Sequence, residues 1–303
     1  MLDVIIIGGG PAGLSAAIYA ERAGLKTAVI EKAVAGGQIS QTHKLENYLG
    51  FENGISGADF AAAILAQAKR FGGEFILDEV TDLELEGDVK KVITKGAVYE
   101  TRSVILAMGV SPRKLEIPGE QELSGMGVSY CATCDGAFFR GLPVAVVGGG
   151  DTAFEDALYL SEMASDVYLI HRRDAFRAQE YLVKLAEARS NIHFVKETVP
   201  VEIQGRFEVE GLKVRNVRTE EESILDVAGV FVAAGHIPGT DLLKGKVDLD
   251  SHGYVIASEN TKTNIDNVFV AGDVRTKSLR QVVAAASDGA IAAMEAHANI
   301  KLK

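Results

Sequence analysis

A glycine-rich turn that joins an apolar run to a helical stretch occurs twice in this chain of 303 residues. The first copy is Gly8–Gly13, followed by a second apolar run that ends at Glu31, and the other copy is Gly148–Ala153, followed by a run that ends at His171. In both copies the last fingerprint position lies 18 residues before the residue that closes the second run. Such a unit places a nucleotide pyrophosphate at a helix N-terminus. The repetition therefore predicts an α/β fold with two Rossmann-like, nucleotide-binding domains.

The first copy matches the G-x-G-x-x-G fingerprint at Gly8, Gly10 and Gly13. The first glycine permits a tight turn, the second lets the pyrophosphate approach the backbone, and the third lets the helix pack closely on the strand. Glu31 is placed to accept hydrogen bonds from a ribose 2′-hydroxyl, and its charge would repel a 2′-phosphate. The residues therefore favour FAD or NAD over NADP, and they leave the choice between FAD and NAD open.

The second copy is a G-x-G-x-x-A variant formed by Gly148, Gly150 and Ala153. Basic residues stand where the first copy has its acidic residue, namely His171, Arg172, Arg173 and Arg177. Guanidinium groups bind phosphates through bidentate, charge-assisted hydrogen bonds. This copy is therefore interpreted as a binding site for the 2′-phosphate of NADP. The alternative is a basic strand end that is simply solvated.

The chain has two cysteines, Cys131 and Cys134, in the segment Cys-Ala-Thr-Cys-Asp between the fingerprints. A zinc site needs about four ligands and a second Cys or His pair, which the sequence does not offer. Two inert buried cysteines are the other alternative, and a redox-active pair is favoured over both. Asp135 next to the pair is either a proton donor and acceptor or a carboxylate in the first turn of a helix.

Composition excludes several functional classes. The formal net charge is −11, and no cluster of Lys and Arg is large enough to track a phosphate backbone, so we expect no nucleic-acid partner. No stretch approaches the roughly 18 apolar residues of a membrane span, so we expect no membrane association.

The segment Met1–Ile7 is interpreted as a first strand and not as a signal peptide. Two cysteines cannot form a secreted disulfide scaffold, which favours a cytoplasmic setting.

The rest of the chain fits two domains. Residues 75 to 107 alternate apolar and polar side chains and are predicted to form antiparallel strands. An Ala-rich helix is predicted over about residues 281 to 298. Pro112 and Pro118 bracket the predicted crossover into the second domain, and the return is expected near Lys244–Val247.

The chain as a whole resembles the low-molecular-weight thioredoxin reductases of bacteria and archaea. The cysteine segment and the basic segment that begins at His171 are the most specific points of resemblance. The matching segments are Gly8-Gly9-Gly10-Pro11-Ala12-Gly13, Gly36-Gly37-Gln38, Glu46-Asn47-Tyr48, Cys131-Ala132-Thr133-Cys134-Asp135, Gly148-Gly149-Gly150-Asp151-Thr152-Ala153, His171-Arg172-Arg173-Asp174-Ala175-Phe176-Arg177-Ala178, Ala271-Gly272-Asp273 and Arg280-Gln281. The sequence departs from the family pattern at Leu49, Met108, Gly239 and Ser287.

The resemblance implies two three-layer ββα domains, with the second inserted into the first. It implies a discontinuous FAD domain of residues 1–114 and 246–303 and an NADPH domain of residues 115–245 that carries Cys131 and Cys134. It implies a homodimer that reduces thioredoxin, with Asp135 as the acid/base group. Two further functions stay open: a flavin disulfide reductase for another disulfide, and a nucleotide-binding redox sensor without catalysis.

The resemblance also assigns residues to each cofactor. For FAD these are Gly8, Gly10, Pro11, Ala12, Gly13, Glu31, Lys32, Gly36, Gly37, Gln38, Asn47, Ala107, Gly109, Gly272, Asp273, Arg280, Gln281 and Val282. For NADPH they are Gly148, Gly150, Asp151, Thr152, Ala153, His171, Arg172, Arg173, Arg177 and Gly235. No metal ligand is expected.

Overall fold

The computed structural model describes residues 1–42 and 44–302, so His43 and Lys303 lie outside the described residues. The chain divides into two compact units. The first consists of Met1–Ser111 and Ile237–Lys303, and the second, Pro112–His236, is inserted between these two parts.

The first unit is built from parallel strands, an antiparallel hairpin and three helices. Its strands are β1 (Leu2–Ile7), β2 (Thr27–Glu31), β3 (Glu74–Leu77), β4 (Val80–Glu84), β5 (Lys90–Thr94), β6 (Val98–Leu106) and β17 (Val268–Val270). Its helices are α1 (Pro11–Arg22), α2 (Gly57–Arg70) and α6 (Val282–Leu302), with short 3₁₀ segments at Gly37–Gln41 and Asp241–Leu243.

The strand order in the first sheet is β3-β2-β1-β6-β5-β4, and β17 also pairs with β6. The strands β3, β2, β1, β6 and β17 run parallel, whereas β4 and β5 are antiparallel to their neighbours. Successive side chains of a strand point to opposite faces, so each strand contributes to two cores. Ile6 packs with the helices, and Ile5 and Ile7 pack on the opposite face against the hairpin and residues near Val255.

The second unit repeats this plan. Its strands are β8 (Val128–Ser129), β9 (Val144–Val147), β10 (Val167–His171), β11 (Ile192–Lys196), β12 (Thr198–Gln204), β13 (Gly211–Asn216), β14 (Glu222–Leu225) and β15 (Gly229–Val232). Its helices are α3 (Ala132–Asp135), α4 (Asp151–Ser161) and α5 (Glu180–Glu187), with a 3₁₀ segment at Gly136–Phe139. Two short strands, β7 (Val110–Pro112) and β16 (His236–Pro238), pair where the chain passes between the units.

A five-stranded parallel sheet of order β11-β10-β9-β15-β8 forms the centre of the second unit. Val144 and Val146 face a core formed with α4 and α5, whereas Ala145 and Val147 face the antiparallel sheet β12-β13-β14. The fold is thus a pair of Rossmann-like units of three layers each, as the sequence predicted.

Two predictions about the chain path differ from the structure. Residues 75 to 107 are not wholly antiparallel, because β3 pairs parallel with β2 and β6 pairs parallel with β1. Alternating polarity reports which face of a strand is buried, and it does not encode strand direction. The return into the first unit lies after His236, earlier than the predicted residue 246, because Leu243 is fully buried in the first unit's core.

Among the described residues, no helix is both long and apolar enough to cross a lipid bilayer.

Candidate functional site

Most of the residues assigned to FAD lie at one edge of the first sheet. The parallel strands β1, β2, β6 and β17 end there, so the segments that follow them lie close together. These segments contain Gly8–Gly13, Glu31 with Lys32, Ala107 with Gly109, and Gly272 with Asp273. The fold thus brings together residues separated by as many as 265 positions in the sequence.

Two glycines of the first fingerprint are required by close backbone contacts. A Cβ on Gly8 would lie 2.3 Å from the Ala107 carbonyl oxygen, and a Cβ on Gly13 would lie 1.9 Å from the Gly8 carbonyl oxygen. Gly10 differs, because the nearest atom to its Cβ position is 3.9 Å away. The open space above Gly10, at the N-terminus of α1, fits a pyrophosphate that approaches the backbone.

Glu31 closes the turn from the other side. Its Oε2 accepts a hydrogen bond from the Gly9 N–H at 2.7 Å, and its Oε1 accepts one from the Ala33 N–H at 2.9 Å. The carboxylate is therefore held rigidly beside the glycine turn and keeps lone pairs for ligand hydroxyls. Lys32 next to it is exposed.

The segment 36–38 packs against the first fingerprint turn. The Gly36 N–H donates to the Gly9 carbonyl at 2.7 Å, and the Gln38 side-chain amide donates to the Val110 carbonyl. Further along, Asn47 Nδ2 donates to Gln281 Oε1 at 3.0 Å, immediately before Val282 begins α6. These contacts involve residues in or next to five segments that the resemblance had assigned to one cofactor.

Asp273 at this edge has a buried polar atom, Oδ1, with no hydrogen-bond partner among the described residues. Burial raises the pKa of the carboxyl, and the positive charges of Lys277 and Arg280 partly oppose that rise. Arg280 packs over the Tyr254 ring at 4.2 Å. A buried acceptor without a partner is costly, so Asp273 is suited to a ligand donor such as a hydroxyl.

The second fingerprint lies at the corresponding edge of the second sheet, where β9, β10 and β15 end. A Cβ on Gly148 would lie 2.6 Å from the Ala153 Cβ and equally close to the Ala233 carbonyl oxygen. No atom lies within 4 Å of the Cβ position of Gly150, so this turn also leaves room for a phosphate at the N-terminus of α4. Gly235, with φ of +98°, follows β15 at the same edge.

The basic segment of the second unit divides into one buried ring and three exposed guanidinium groups. His171 is 6% exposed, and its ring lies over Gly149. Burial lowers the pKa of His171, and the positive charges of Arg177, Arg172 and Arg173 lower it further. His171 is therefore neutral near pH 7, so the positive charge of this site comes from the arginines.

Arg172, Arg173 and Arg177 are exposed, and none of them forms an ion pair with a described residue. The Arg177 N–H donates to the Gly149 carbonyl at 2.8 Å, which fixes the basic segment to the fingerprint turn. On the other side of the turn, Asp151 accepts two hydrogen bonds from Gln179, which lower its pKa. Thr152, next to it, is exposed.

The two cysteines form a disulfide in the second unit. Cys131 caps the four-residue helix α3, and the Cα atoms of Cys131 and Cys134 are 5.3 Å apart. The Cys134 and Asp135 N–H groups both donate to the Cys131 carbonyl, at 3.2 Å and 3.1 Å. The pair therefore sits on one tight turn, and both cysteines are half-buried.

Ser129 links the disulfide turn to Asp135, a contact that the sequence did not predict. Its hydroxyl donates to Asp135 Oδ2 at 2.6 Å and accepts a hydrogen bond from the Cys131 N–H at 3.1 Å. The carboxylate is thus held on the same turn as the cysteines. This position suits a group that takes up or releases a proton when the disulfide changes its redox state.

Glu120 and Tyr130 form a second unpredicted link. The Tyr130 hydroxyl donates to Glu120 Oε1 at 2.9 Å, and the buried Glu120 also accepts from the N–H groups of Leu115 and Glu116. Burial and the Glu120 charge raise the pKa of Tyr130, so its hydroxyl stays protonated as a donor. The residue before Cys131 is thereby fixed to the first residues of the second unit.

Asp156 on α4 is expected to make the stability of the protein depend on pH. Burial, together with the nearby charge of Glu155, raises the pKa of Asp156 to about 7. A carboxyl whose pKa is higher in the folded than in the unfolded state favours the folded state less as pH rises. The amide of Asn does not titrate, so the free energy of unfolding of Asp156→Asn should rise relative to that of the wild type as pH increases. We expect this relative gain to be about 1–3 kcal/mol between about pH 5 and 8.

This expectation is checked by urea unfolding of both proteins across that pH range. Glu155→Gln is the matched control, because it removes a neighbouring carboxyl that is exposed and should largely preserve the wild-type slope. Parallel pH profiles for the wild type and Asp156→Asn would contradict the account.

No group of three or more His, Cys, Asp or Glu side chains that could hold a metal ion occurs in the described part of the chain.

Comparisons with known proteins agree with this arrangement. The family model described as "Pyridine nucleotide-disulphide oxidoreductase" matches residues 2–289. The chain is 47% identical to a thioredoxin reductase of Mycolicibacterium smegmatis, over 97% of this chain and 95% of that protein. It is also 48% identical, over 97% of its length, to a bifunctional thioredoxin reductase/thioredoxin of Mycobacterium leprae, of which it spans 65%. The solved structure of thioredoxin reductase from Streptococcus pyogenes MGAS5005 matches with a TM-score of 0.96 at 41% identity, over 100% of this chain and 99% of that chain.

Proposed function

The chain belongs to the pyridine nucleotide-disulphide oxidoreductase family, and within it to the thioredoxin reductases, and on this basis we propose that it transfers electrons from NADPH through FAD and the Cys131–Cys134 disulfide to oxidised thioredoxin. The observation that carries the proposal is the disulfide itself. It lies in a nucleotide-binding unit, on one turn with a carboxylate that Ser129 holds in place.

We assign FAD to the first unit and NADPH to the second. The open space at Gly10, the anchored Glu31 carboxylate and the unpartnered Asp273 fit FAD. FAD, when bound, supplies a two-electron carrier between the nicotinamide and the disulfide. In the second unit, the turn at Gly150 receives the NADPH pyrophosphate, and the exposed arginines receive the 2′-phosphate.

The chain's own chemistry is thiol–disulfide exchange. Two electrons and two protons convert the Cys131–Cys134 disulfide into a dithiol. One thiolate then attacks the thioredoxin disulfide, which forms a mixed disulfide and releases the first thioredoxin thiolate. The second reductase thiolate attacks the reductase sulfur of the mixed disulfide and releases the second thioredoxin thiolate. The reductase disulfide forms again, and thioredoxin leaves with two thiols. Asp135 is proposed to give and take the proton at the cysteine sulfur, and Ser129 keeps its carboxylate on the turn.

We further propose that the enzyme acts as a homodimer in the cytoplasm. Support comes from its likeness over almost the full chain to thioredoxin reductases, and from a reducing compartment being the usual setting for a catalytic disulfide.

The first test is the cofactor content. The purified protein should carry one flavin per chain, or should take it up on addition of FAD, because the first unit offers the hydroxyl acceptors and the phosphate turn. The measurement is visible absorbance and chromatography of the released flavin. A protein that binds no FAD after reconstitution would overturn the proposed function.

A further inference from the structure

A buried carboxylate on α6, Asp288, is the meeting point of four hydrogen bonds in the first unit. Arg275 donates to both of its oxygens, from Nε to Oδ2 at 2.9 Å and from Nη2 to Oδ1 at 2.8 Å. Lys277 donates to Oδ2 at 2.8 Å, and the Gly272 N–H donates to the same oxygen at 2.9 Å. The segment 272–277 therefore wraps around one carboxylate.

The charges in this cluster are almost completely removed from water. Asp288 is 4% exposed and Arg275 is 3% exposed. Burial alone would raise the pKa of Asp288, but the hydrogen bonds from Arg275 and Lys277 outweigh it and hold the pKa below its ordinary value. Asp288 is thus ionised near pH 7. Its loss would leave two buried cations and a backbone N–H without their acceptor.

The same turn of α6 also packs on the first fingerprint. A Cβ on Gly289 would lie 2.0 Å from the Ala12 carbonyl oxygen, so only glycine allows this approach of α6 to α1. The Ser15 hydroxyl donates to the Ala286 carbonyl at 2.7 Å, one turn away. On the other side, a Cβ on Gly272 would lie 2.9 Å from the Ala12 Cβ. The turn around Asp288 thus joins the fingerprint helix to the Gly272–Asp273 segment.

The position of Asp273 follows from this arrangement. The Gly272 N–H donates to Asp288, which fixes the Ala271–Gly272 peptide, one residue before Asp273. Gly272 has φ of +81°, a conformation that glycine adopts without strain. The Asp273 Oδ1 that results is buried and has no partner among the described residues. It remains available to a cofactor hydroxyl.

We propose that Asp288 is a positioning residue for FAD, which locks the Gly272–Asp273 segment against the first fingerprint so that Asp273 is aimed at the cofactor. The inference rests on the proposed function, because it concerns the same FAD site. Asp288 acts through Gly272 and Asp273 and does not itself need to touch the cofactor.

The test compares FAD binding by Asp288→Asn and by the wild type, after the flavin has been removed from each. The amide offers one acceptor oxygen to four donors, so the segment loses its fixed position. We expect the dissociation constant for FAD to rise roughly tenfold or more. The NADP⁺ dissociation constant, which reports on the other unit, should stay within about twofold of the wild-type value.

Glu295→Gln is the matched control. Glu295 lies on the same helix and pairs with Lys262, but this pair is partly exposed. We expect its FAD affinity to stay within about twofold of the wild type. If Asp288→Asn does not fold, the double variant Lys277→Met/Asp288→Asn replaces it, because this variant removes one unmatched cation as well. It should still bind FAD roughly tenfold more weakly.

Wild-type FAD affinity in Asp288→Asn, or in the double variant where the single variant does not fold, would overturn the positioning role. Equal weakening of FAD and NADP⁺ binding would also overturn it, because that result indicates general loss of structure. Failure of the wild type itself to bind FAD would instead overturn the proposed function.

Discussion

Cys131→Ser or Cys134→Ser will abolish reduction of thioredoxin and leave reduction of the bound flavin by NADPH intact. The hydroxyl of serine can neither form the disulfide nor displace thiolate from a mixed disulfide. The transfer of electrons from NADPH to the flavin precedes the cysteines in the proposed order. Steady-state NADPH oxidation with thioredoxin measures the first effect, and anaerobic stopped-flow absorbance of the flavin measures the second.

Ala188→Ser is the control for this experiment. It introduces the same side chain at an exposed position of the second unit, just after α5, and should keep wild-type turnover. Thioredoxin reduction at the wild-type rate by either cysteine variant would show that the electrons bypass the Cys131–Cys134 disulfide.

The preference for NADPH over NADH should fall roughly ten- to a hundred-fold in Arg172→Ala or Arg177→Ala, because each removes a charge-assisted hydrogen bond to the 2′-phosphate. Both side chains are exposed and form no ion pair with a described residue, so the substitutions should leave the fold intact. The measurement is kcat/KM for each nucleotide in flavin reduction.

Arg189→Ala serves as the matched control. Arg189 lies in the same unit and is held by Glu162, at the far end of α4 from the fingerprint turn. Its substitution should leave the nucleotide preference unchanged. If the preference were also unchanged in both Arg172→Ala and Arg177→Ala, the 2′-phosphate would have to be bound elsewhere.

Much of the fold could be predicted because the constraints are local. A tight turn at Gly8 and the close approach at Gly13 dictate a strand–turn–helix unit wherever they occur, and the repeat at Gly148 dictates a second. The positions of Glu31 and His171, at the end of the second strand of each unit, follow from the combined length of one helix and one strand. The spacing of Cys131 and Cys134 likewise predicts a pair on a single turn.

What could not be predicted depends on contacts between distant segments. The Gly272 N–H binds Asp288, and Tyr130 binds Glu120, through side chains whose partners no local pattern reveals. From the sequence, His171 was counted among the basic residues of the phosphate site. In the structure its burial against Gly149 lowers its pKa and keeps the ring neutral. The parallel pairing of β3 with β2 and of β6 with β1 was missed for the same reason, since the paired strands lie far apart in the chain.

In the proposed route, the electrons reach thioredoxin through the Cys131–Cys134 disulfide. This route is tested most directly by anaerobic reduction with NADPH, followed by addition of oxidised thioredoxin and alkylation of all thiols at successive times. Both cysteines should become alkylatable after NADPH is added, and they should return to the disulfide as an equal amount of thioredoxin gains two thiols. Reduction of thioredoxin while Cys131 and Cys134 remain oxidised throughout would contradict it.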